Sequence, residues 1–195
     1  MKIIAISGKR QRGKDTAAKI LNELIPGSKI VRWADKLKEA SAIILGCKAS
    51  DFESEAFKQK KIGGIYGDMT YREFLIKFGT EAGRVVNPLI WIDALQRNSK
   101  PEDIYIIPDT RFLNEAQYTD HNEDNLLLRL ERWDVDEDGV PEYVLKSSSE
   151  CELDDYGFRH VIHNNSTIED LRDALINLYI EWNTDQFYKD SVGLY

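Results

Sequence analysis

The chain alternates short, almost wholly apolar runs with longer segments in which apolar residues return every three or four positions. Ile3-Ile4-Ala5-Ile6, Ile104-Tyr105-Ile106-Ile107 and Asn125-Leu126-Leu127-Leu128-Arg129-Leu130 are of the first kind and predict buried strands. Lys29-Ile30-Val31-Arg32-Trp33 and Arg159-His160-Val161-Ile162 add two shorter ones. Of the second kind, Ala17, Ile20, Leu21 and Leu24 predict a helix that Pro26-Gly27 stops. Asp35 is placed to cap another that runs to about Leu45. From Ala49 to Gln96 the pattern is helical except at Ile62-Gly63-Gly64-Ile65-Tyr66-Gly67, which has no fixed period and reads as a mobile loop.

Helix starts carry their own signals. Thr70-x-x-Glu73 is a capping box, followed by the apolar stripe Phe74, Leu75, Phe78 and Ala82. Asn87-Pro88 supplies a cap and a first-turn proline for a helix whose Leu89, Ile92 and Leu95 face the core while Trp91 sits to one side. Ser149-x-x-Glu152 and Ser166-x-x-Glu169 are further capping boxes, and the closing helix places Ile168, Leu171, Leu175, Leu178 and Trp182 on one side. Strands that alternate with helices predict an α/β fold: three layers around a central parallel sheet. There is no internal repeat or low-complexity linker.

With 195 residues, 42% of them apolar, one good core can form, and the expectation is a single domain, residues 1–195. A net charge of −8 argues against a surface that coats nucleic acid. The amino terminus enters a strand at once and no apolar run is long enough for a bilayer, so the expectation is a cytoplasmic protein with no membrane partner. Cys47 and Cys151 lack metal or redox spacing and read as reduced thiols. His160 and His163 fall on opposite faces of a strand, which disfavours zinc. Helix faces that would form a homodimer read the same as faces packed inside, so a homodimer stays open.

The positive charge is local. Gly8-Lys9-Arg10-Gln11-Arg12-Gly13-Lys14-Asp15-Thr16 links the first strand to the first helix with the spacing Gly-x4-Gly-Lys of a phosphate-binding loop. There, two glycines let backbone N–H groups converge on phosphate oxygens and the lysine reaches the outer phosphates. Asp15 stands where a Ser or Thr hydroxyl normally holds magnesium, and Thr16 comes one place late; as an oxygen ligand Asp15 can serve the same ion. At the carboxyl end of the Ile104 strand, where open α/β sheets bind ligands, Pro108-Asp109-Thr110-Arg111 brings out a second candidate magnesium carboxylate, Asp109, and a phosphate clamp, Arg111. Asp134-Val135-Asp136-Glu137-Asp138-Gly139 begins like a calcium loop, but Leu145 falls where the bidentate Glu is needed and Pro141 denies the flanking helix, so it reads as an acidic turn over the site.

A phosphate loop at the start of so short a chain, with Arg84, Arg111, Arg129 and Arg132 spread through the later segments, suits transfer of a phosphoryl group onto a phosphate acceptor. Such a reaction gathers anionic oxygens into a loose in-line transition state, so catalysis is mostly positioning and neutralisation. In order along the chain, Ser7-Gly8-Lys9-Arg10 through Gly13-Lys14-Asp15, Trp33-Ala34-Asp35-Lys36-Leu37-Lys38, Tyr71-Arg72-Glu73, Phe78-Gly79-Thr80-Glu81-x-Gly83-Arg84, Trp91, Asp109-Thr110-Arg111-Phe112-x-Asn114-Glu115, Ser149-Glu150-x-Glu152-Leu153-Asp154 and Ile162-x-Asn164-Asn165 resemble the bacteriophage deoxynucleoside monophosphate kinases. The Gly-Lys-Asp form of the loop is that family's usual one. The resemblance implies a nucleoside-monophosphate-kinase-like P-loop fold, with an acceptor-binding helical region at about 35–100 and a short lid at about 131–150. It implies ATP and Mg²⁺ as co-substrate and cofactor and a deoxynucleoside monophosphate as acceptor.

By the same resemblance, Gly8, Lys9, Arg10, Arg12, Gly13, Lys14, Asp15 and Thr16 surround the ATP phosphates, with Asp15, Thr16 and Asp109 at the metal. Trp33, Asp35, Lys36, Lys38, Arg72, Arg84, Trp91, Arg111 and Glu150 serve the acceptor, and Lys14, Arg84, Asp109, Arg111 and the lid residue Arg132 carry catalysis. Animal-type phosphomevalonate kinases share several of these motifs, above all Ser149-Glu150-Cys151-Glu152-Leu153-Asp154, and are the main rival. A kinase for modified bases in DNA, and a nucleotide-binding module without transfer activity, are the others.

Overall fold

The computed structural model describes residues 1–133 and 148–192, so the acidic turn at 134–139 and most of the expected lid lie outside the described residues. The chain divides into two compact units, Met1–Val31 with Lys100–Tyr195, and Arg32–Ser99.

The first unit is built on five strands, β1 (Lys2–Ser7), β2 (Lys29–Ile30), β3 (Ile104–Thr110), β4 (Leu126–Glu131) and β5 (His160–His163), all parallel in the order β2-β3-β1-β4-β5. Every expected strand is present. The second is shorter than Lys29–Trp33, because it pairs only with β3 and the chain enters the other unit at Arg32. Its helices are α1 (Lys14–Leu24), α7 (Leu113–Asp120), α8 (Ser148–Cys151) and α9 (Ile168–Val192).

Side chains on alternate faces of the strands explain the layering. Ile4, Ile6, Ile106, Leu128 and Leu130 cluster with Ala17, Ala18 and Leu21 of α1 and with Leu171, Leu175 and Trp182 of α9. Ile3, Ala5, Ile107 and Leu127 are buried on the other face, where α7 lies against β1 and β4. A fully buried Leu or Ile contributes about 1.5–3 kcal/mol, so both faces must be covered, and the polar edge left over is the carboxyl end of the strands. Ile168 is exposed, contrary to its expected inward face. Helix α9 is capped one residue later than expected, with Asp170 N–H donating to Thr167 Oγ1 (3.2 Å) and Thr167 N–H to Asp170 Oδ2 (3.1 Å), and this leaves Ile168 in the outer first turn.

Pro108 lies inside β3 rather than at its end. The register runs Ala5 to Ile107 and then Ser7 to Thr110, so β3 carries one extra residue, a bulge. A bulge tolerates the missing proline N–H, and β2 has already ended opposite Ile106. Directly after β1, Gly8 has φ +139°, and a Cβ there would stand 2.5 Å from the Leu130 carbonyl oxygen of β4. Neither conformation nor space admits a side chain. Gly8→Ala is therefore expected to lower stability by at least about 2 kcal/mol, read as a fall in the urea midpoint, whereas Gly27→Ala, with nothing within 4 Å, changes only its own turn.

The second unit comprises α2 (Asp35–Leu45), α3 (Glu55–Lys58), α4 (Tyr71–Ile76), α5 (Arg84–Val86) and α6 (Ile90–Arg97), with a 3₁₀ turn at Ala49–Glu53 and a π-helical turn at Lys77–Gly83. Asp35 is the first helical residue and not the cap, which is Ala34; its Oδ2 accepts from Arg32 N–H (2.8 Å), closing the turn that leads into the helix. The Thr70–Glu73 capping box forms as expected, with bonds of 3.2 and 2.7 Å. The glycine-rich segment is a hydrogen-bonded loop: Lys61 bridges Thr70, Ile62 N–H donates to Met69 O (2.9 Å) and Gly64–Tyr66 forms a 3₁₀ turn.

Around α6 the expected faces change. Asn87 Oδ1 accepts from Leu89 N–H (2.9 Å), but the helix begins only at Ile90, so Leu89 is left in the turn, 43% exposed. Trp91, Ile92 and Leu95 then point inward. The indole N–H of Trp91 donates to Gly79 O in the π-helical turn (3.1 Å), and a Cβ on Gly83 would come within 2.8 Å of the same ring.

Candidate functional site

The chemistry-bearing residues of the first unit converge where β1, β3 and β4 end. Gly13 is the amino-terminal cap of α1 with φ 94°, and no side chain caps the helix, as expected where first-turn N–H groups serve an anion. Gln11, at φ 60°, is the non-glycine residue with positive φ among the described residues, so the loop is held in a conformation that costs energy. A Cβ on Gly13 would stand 2.4 Å from Asn164 Nδ2, and the same nitrogen donates to Arg12 O (3.1 Å). The loop is thus pinned from the end of β5.

Lys14 is 8% exposed and folds back under the loop, its Nζ donating to Gly8 O and Lys9 O, each at 2.7 Å. Burial pushes its ammonium down to about 8, and the Arg111 guanidinium pushes the same way; Glu150, Asp15 and Asp109 pull back. A cation held at such a cost is one that an incoming polyanion stabilises. ATP stays fully ionised above pH 8 while Lys14 in the empty loop loses its proton there. Binding then has to restore that proton, so ATP affinity is expected to fall about tenfold per pH unit above pH 8. Calorimetric titration between pH 7 and pH 10 checks this, and a flat profile would remove Lys14 from the binding step.

Arg111 follows β3 directly. Its N–H and that of Phe112 donate to Glu115 Oε2 at 2.9 and 3.1 Å, and Glu115 is itself 2% exposed, so a buried carboxylate fixes the backbone that aims the arginine. The guanidinium pairs with Glu150 Oε1, and Glu150 Oε2 accepts from Arg10 N–H of the loop (3.0 Å). A carboxylate of α8 therefore bridges the loop to Arg111. Asp154 does similar work one turn on, reaching Lys9 Nζ at 2.8 Å and Arg129 Nη2 at 3.2 Å. Together Ser7, Gly8, Lys9, Thr110, Arg111, Arg129, Glu150 and Leu153 line a small pocket. Asp15 and Thr16 are exposed in the first turn of α1, Asp109 is half-buried at the bulge, and Arg132 is half-buried just past β4.

The other expected residues lie in the second unit. Trp33 is buried. Lys36 pairs with Glu39 (2.8 Å), Lys38 with Glu53 (2.7 Å) and with Asp35 (3.5 Å), and Arg72 with Glu55. Arg84 Nη1 donates to Pro88 O (3.4 Å), and Trp91 is packed as described above. Glu115, Asp154 and Asn164 were visible only as letters in the motifs quoted above, and nothing in the sequence assigned them a task.

These residues fit a nucleotide triphosphate with magnesium. The loop presents backbone donors with no room for side chains at Gly8 and Gly13, and a buried lysine sits beneath it. Among the described residues no group of three or more His, Cys, Asp or Glu could hold a metal alone. Magnesium keeps waters and phosphate oxygens and takes one or two carboxylates, of the kind that Asp15 and Asp109 present.

No family model and no curated protein matches this chain. Among solved structures it is similar to the dephospho-CoA kinase from Campylobacter jejuni, with a TM-score of 0.50 over 95% of this chain and 100% of that one, at 15% identity. The likeness is one of fold: a central parallel sheet with flanking helices, arranged as in that protein. No helix among the described residues is long and apolar enough to cross a membrane.

Proposed function

We propose that the chain is a deoxynucleoside monophosphate kinase that transfers the γ-phosphoryl group of ATP to a dNMP. The supporting observation is the buried Lys14 under a loop whose Gly8 and Gly13 admit no side chain, with the Arg111 guanidinium beside it. Two cations and a set of backbone donors meeting at one strand edge match a reaction whose barrier is charge crowding. The order of motifs along the chain supplies the acceptor class.

Lys14 exchanges its carbonyl partners for the outer phosphates of ATP, while the loop N–H groups hold the inner ones. An acceptor phosphate oxygen forms the new bond to the γ-phosphorus as the bond to the β,γ-bridging oxygen breaks and ADP leaves. That oxygen is ionised at neutral pH, so no base is needed. Arg111 neutralises the transferring group, and Glu150 and Glu115 keep it aimed. Asp15, Thr16 and Asp109 would hold Mg²⁺, which would supply further neutralisation of the phosphate oxygens. Lys36, Lys38, Arg72 and Arg84 serve the acceptor, and Arg132 belongs to the lid.

A second reading, phosphomevalonate kinase, accounts for the same contacts, because Glu150 and Asp154, the residues tied to the loop, lie in the Ser149–Asp154 segment that both families share. A coupled ADP-release assay across the four common dNMPs, modified pyrimidine dNMPs and mevalonate 5-phosphate separates the two. Turnover with a dNMP supports the first, and turnover with mevalonate 5-phosphate alone would replace it with the second.

A further inference from the structure

Trp133, two residues past the end of β4, leaves 71% of its surface in water, although indole is among the side chains least often left so open. It is nonetheless held still. Its ring stacks on His163 with centroids 5.5 Å apart and planes 22° from parallel, and its backbone N–H donates to Asn165 Oδ1 (2.9 Å). His163 is steadied in turn by Glu131, 3.5 Å from its Nδ1. The residue between His163 and Asn165 is Asn164, whose side chain donates to Arg12 O of the phosphate loop and abuts Gly13. An exposed, oriented aromatic shelf is therefore joined to the phosphate loop through a single turn. It lies on the β4–β5 side of the loop, along the same carboxyl edge at which open α/β sheets bind their ligands.

We propose that Trp133, backed by His163, is the stacking platform for the base of the donor nucleotide. A flat aromatic face recognises any base, because every base presents a π surface, so the platform adds affinity for the nucleoside end while discriminating little among bases. The proposal rests on the reading of Gly8–Thr16 as a triphosphate loop, which the same experiment checks separately. Wild type, Trp133→Ala and Trp133→Phe are titrated calorimetrically with the β,γ-imido analogue of ATP and with inorganic tripolyphosphate. In Trp133→Ala the analogue is expected to bind about tenfold more weakly, with tripolyphosphate unchanged and Trp133→Phe close to wild type. Equal affinity of wild type and Trp133→Ala for the analogue would overturn the platform and leave the loop intact. Equal loss for both ligands would also overturn it, making Trp133 a support for the loop. Failure of wild type to bind tripolyphosphate would remove the loop reading, and the platform with it.

Discussion

Lys14→Ala is expected to lose at least about 10³-fold in phosphoryl transfer while the fold is retained. The side chain is buried at 8% exposure and is bonded to two carbonyls of its own loop, Gly8 O and Lys9 O. Those two bonds have an ionised donor and are worth about 1.5–3 kcal/mol each net. Against them stands the cost of burying an ammonium, visible as a value pushed down to about 8. Removing Lys14 thus takes away little native-state stabilisation and should leave the thermal midpoint near wild type. In the reacting complex the balance reverses, because the same ammonium faces several phosphate charges at low dielectric. Steady-state ADP release and a thermal melt, run side by side, check both halves. Asp15→Ser, which brings the loop to its commoner form, should be milder, since Asp15 is exposed and a serine hydroxyl there can also serve the metal.

Arg111→Ala is expected to cut transfer by about 10³-fold and to leave ATP bound. The arginine is placed by backbone bonds to buried Glu115 and by its pairing with Glu150, which binds the loop at Arg10 N–H. A side chain so anchored contributes to the transition state chiefly through the charge it holds ready, so the loss should fall on kcat more than on the dissociation constant of ATP. Arg111 also pushes the Lys14 ammonium down. Its removal should therefore raise the pH at which ATP affinity begins to fall, a readout that loss of folding cannot mimic. Unchanged turnover would remove Arg111 from the transfer step, whereas ATP binding with no turnover in wild type or variant would favour a nucleotide-binding module without transfer activity.

Much of this site was legible because its parts are local. Gly-x4-Gly-Lys between a strand and a helix, and Asp109 with Arg111 at the end of an apolar run, depend on spacing and on the rule that ligands gather at the carboxyl edge of parallel strands. What could not be read depends on contacts between distant segments. Glu115 matters because it folds back to the N–H groups of Arg111 and Phe112, Asp154 because it meets Lys9 and Arg129, and Asn164 because the end of β5 passes the loop.

The misplaced faces have a similar cause. Leu89 and Trp91 exchanged roles because α6 starts at Ile90, and Ile168 turned outward because Thr167 and Asp170, not Ser166 and Glu169, form the cap. Leu171, Leu175 and Trp182, like Ile92 and Leu95, keep their inward places; a later start changes only the residue at the end, which falls outside the regular helix or in its uncovered first turn. The bulge at Pro108 shows the converse. Proline ruled out a regular ladder at that point, but only the paired register of β1 revealed that the strand continues past it.

The most direct test of the central claim is ³¹P NMR of the protein with ATP, Mg²⁺ and each dNMP in turn. With a dNMP that is a substrate, the ATP γ-phosphate resonance is expected to disappear as the β-phosphate resonance of the dNDP appears, with no inorganic phosphate formed. An ATP signal that persists with every dNMP, or that is converted only to inorganic phosphate, would contradict it.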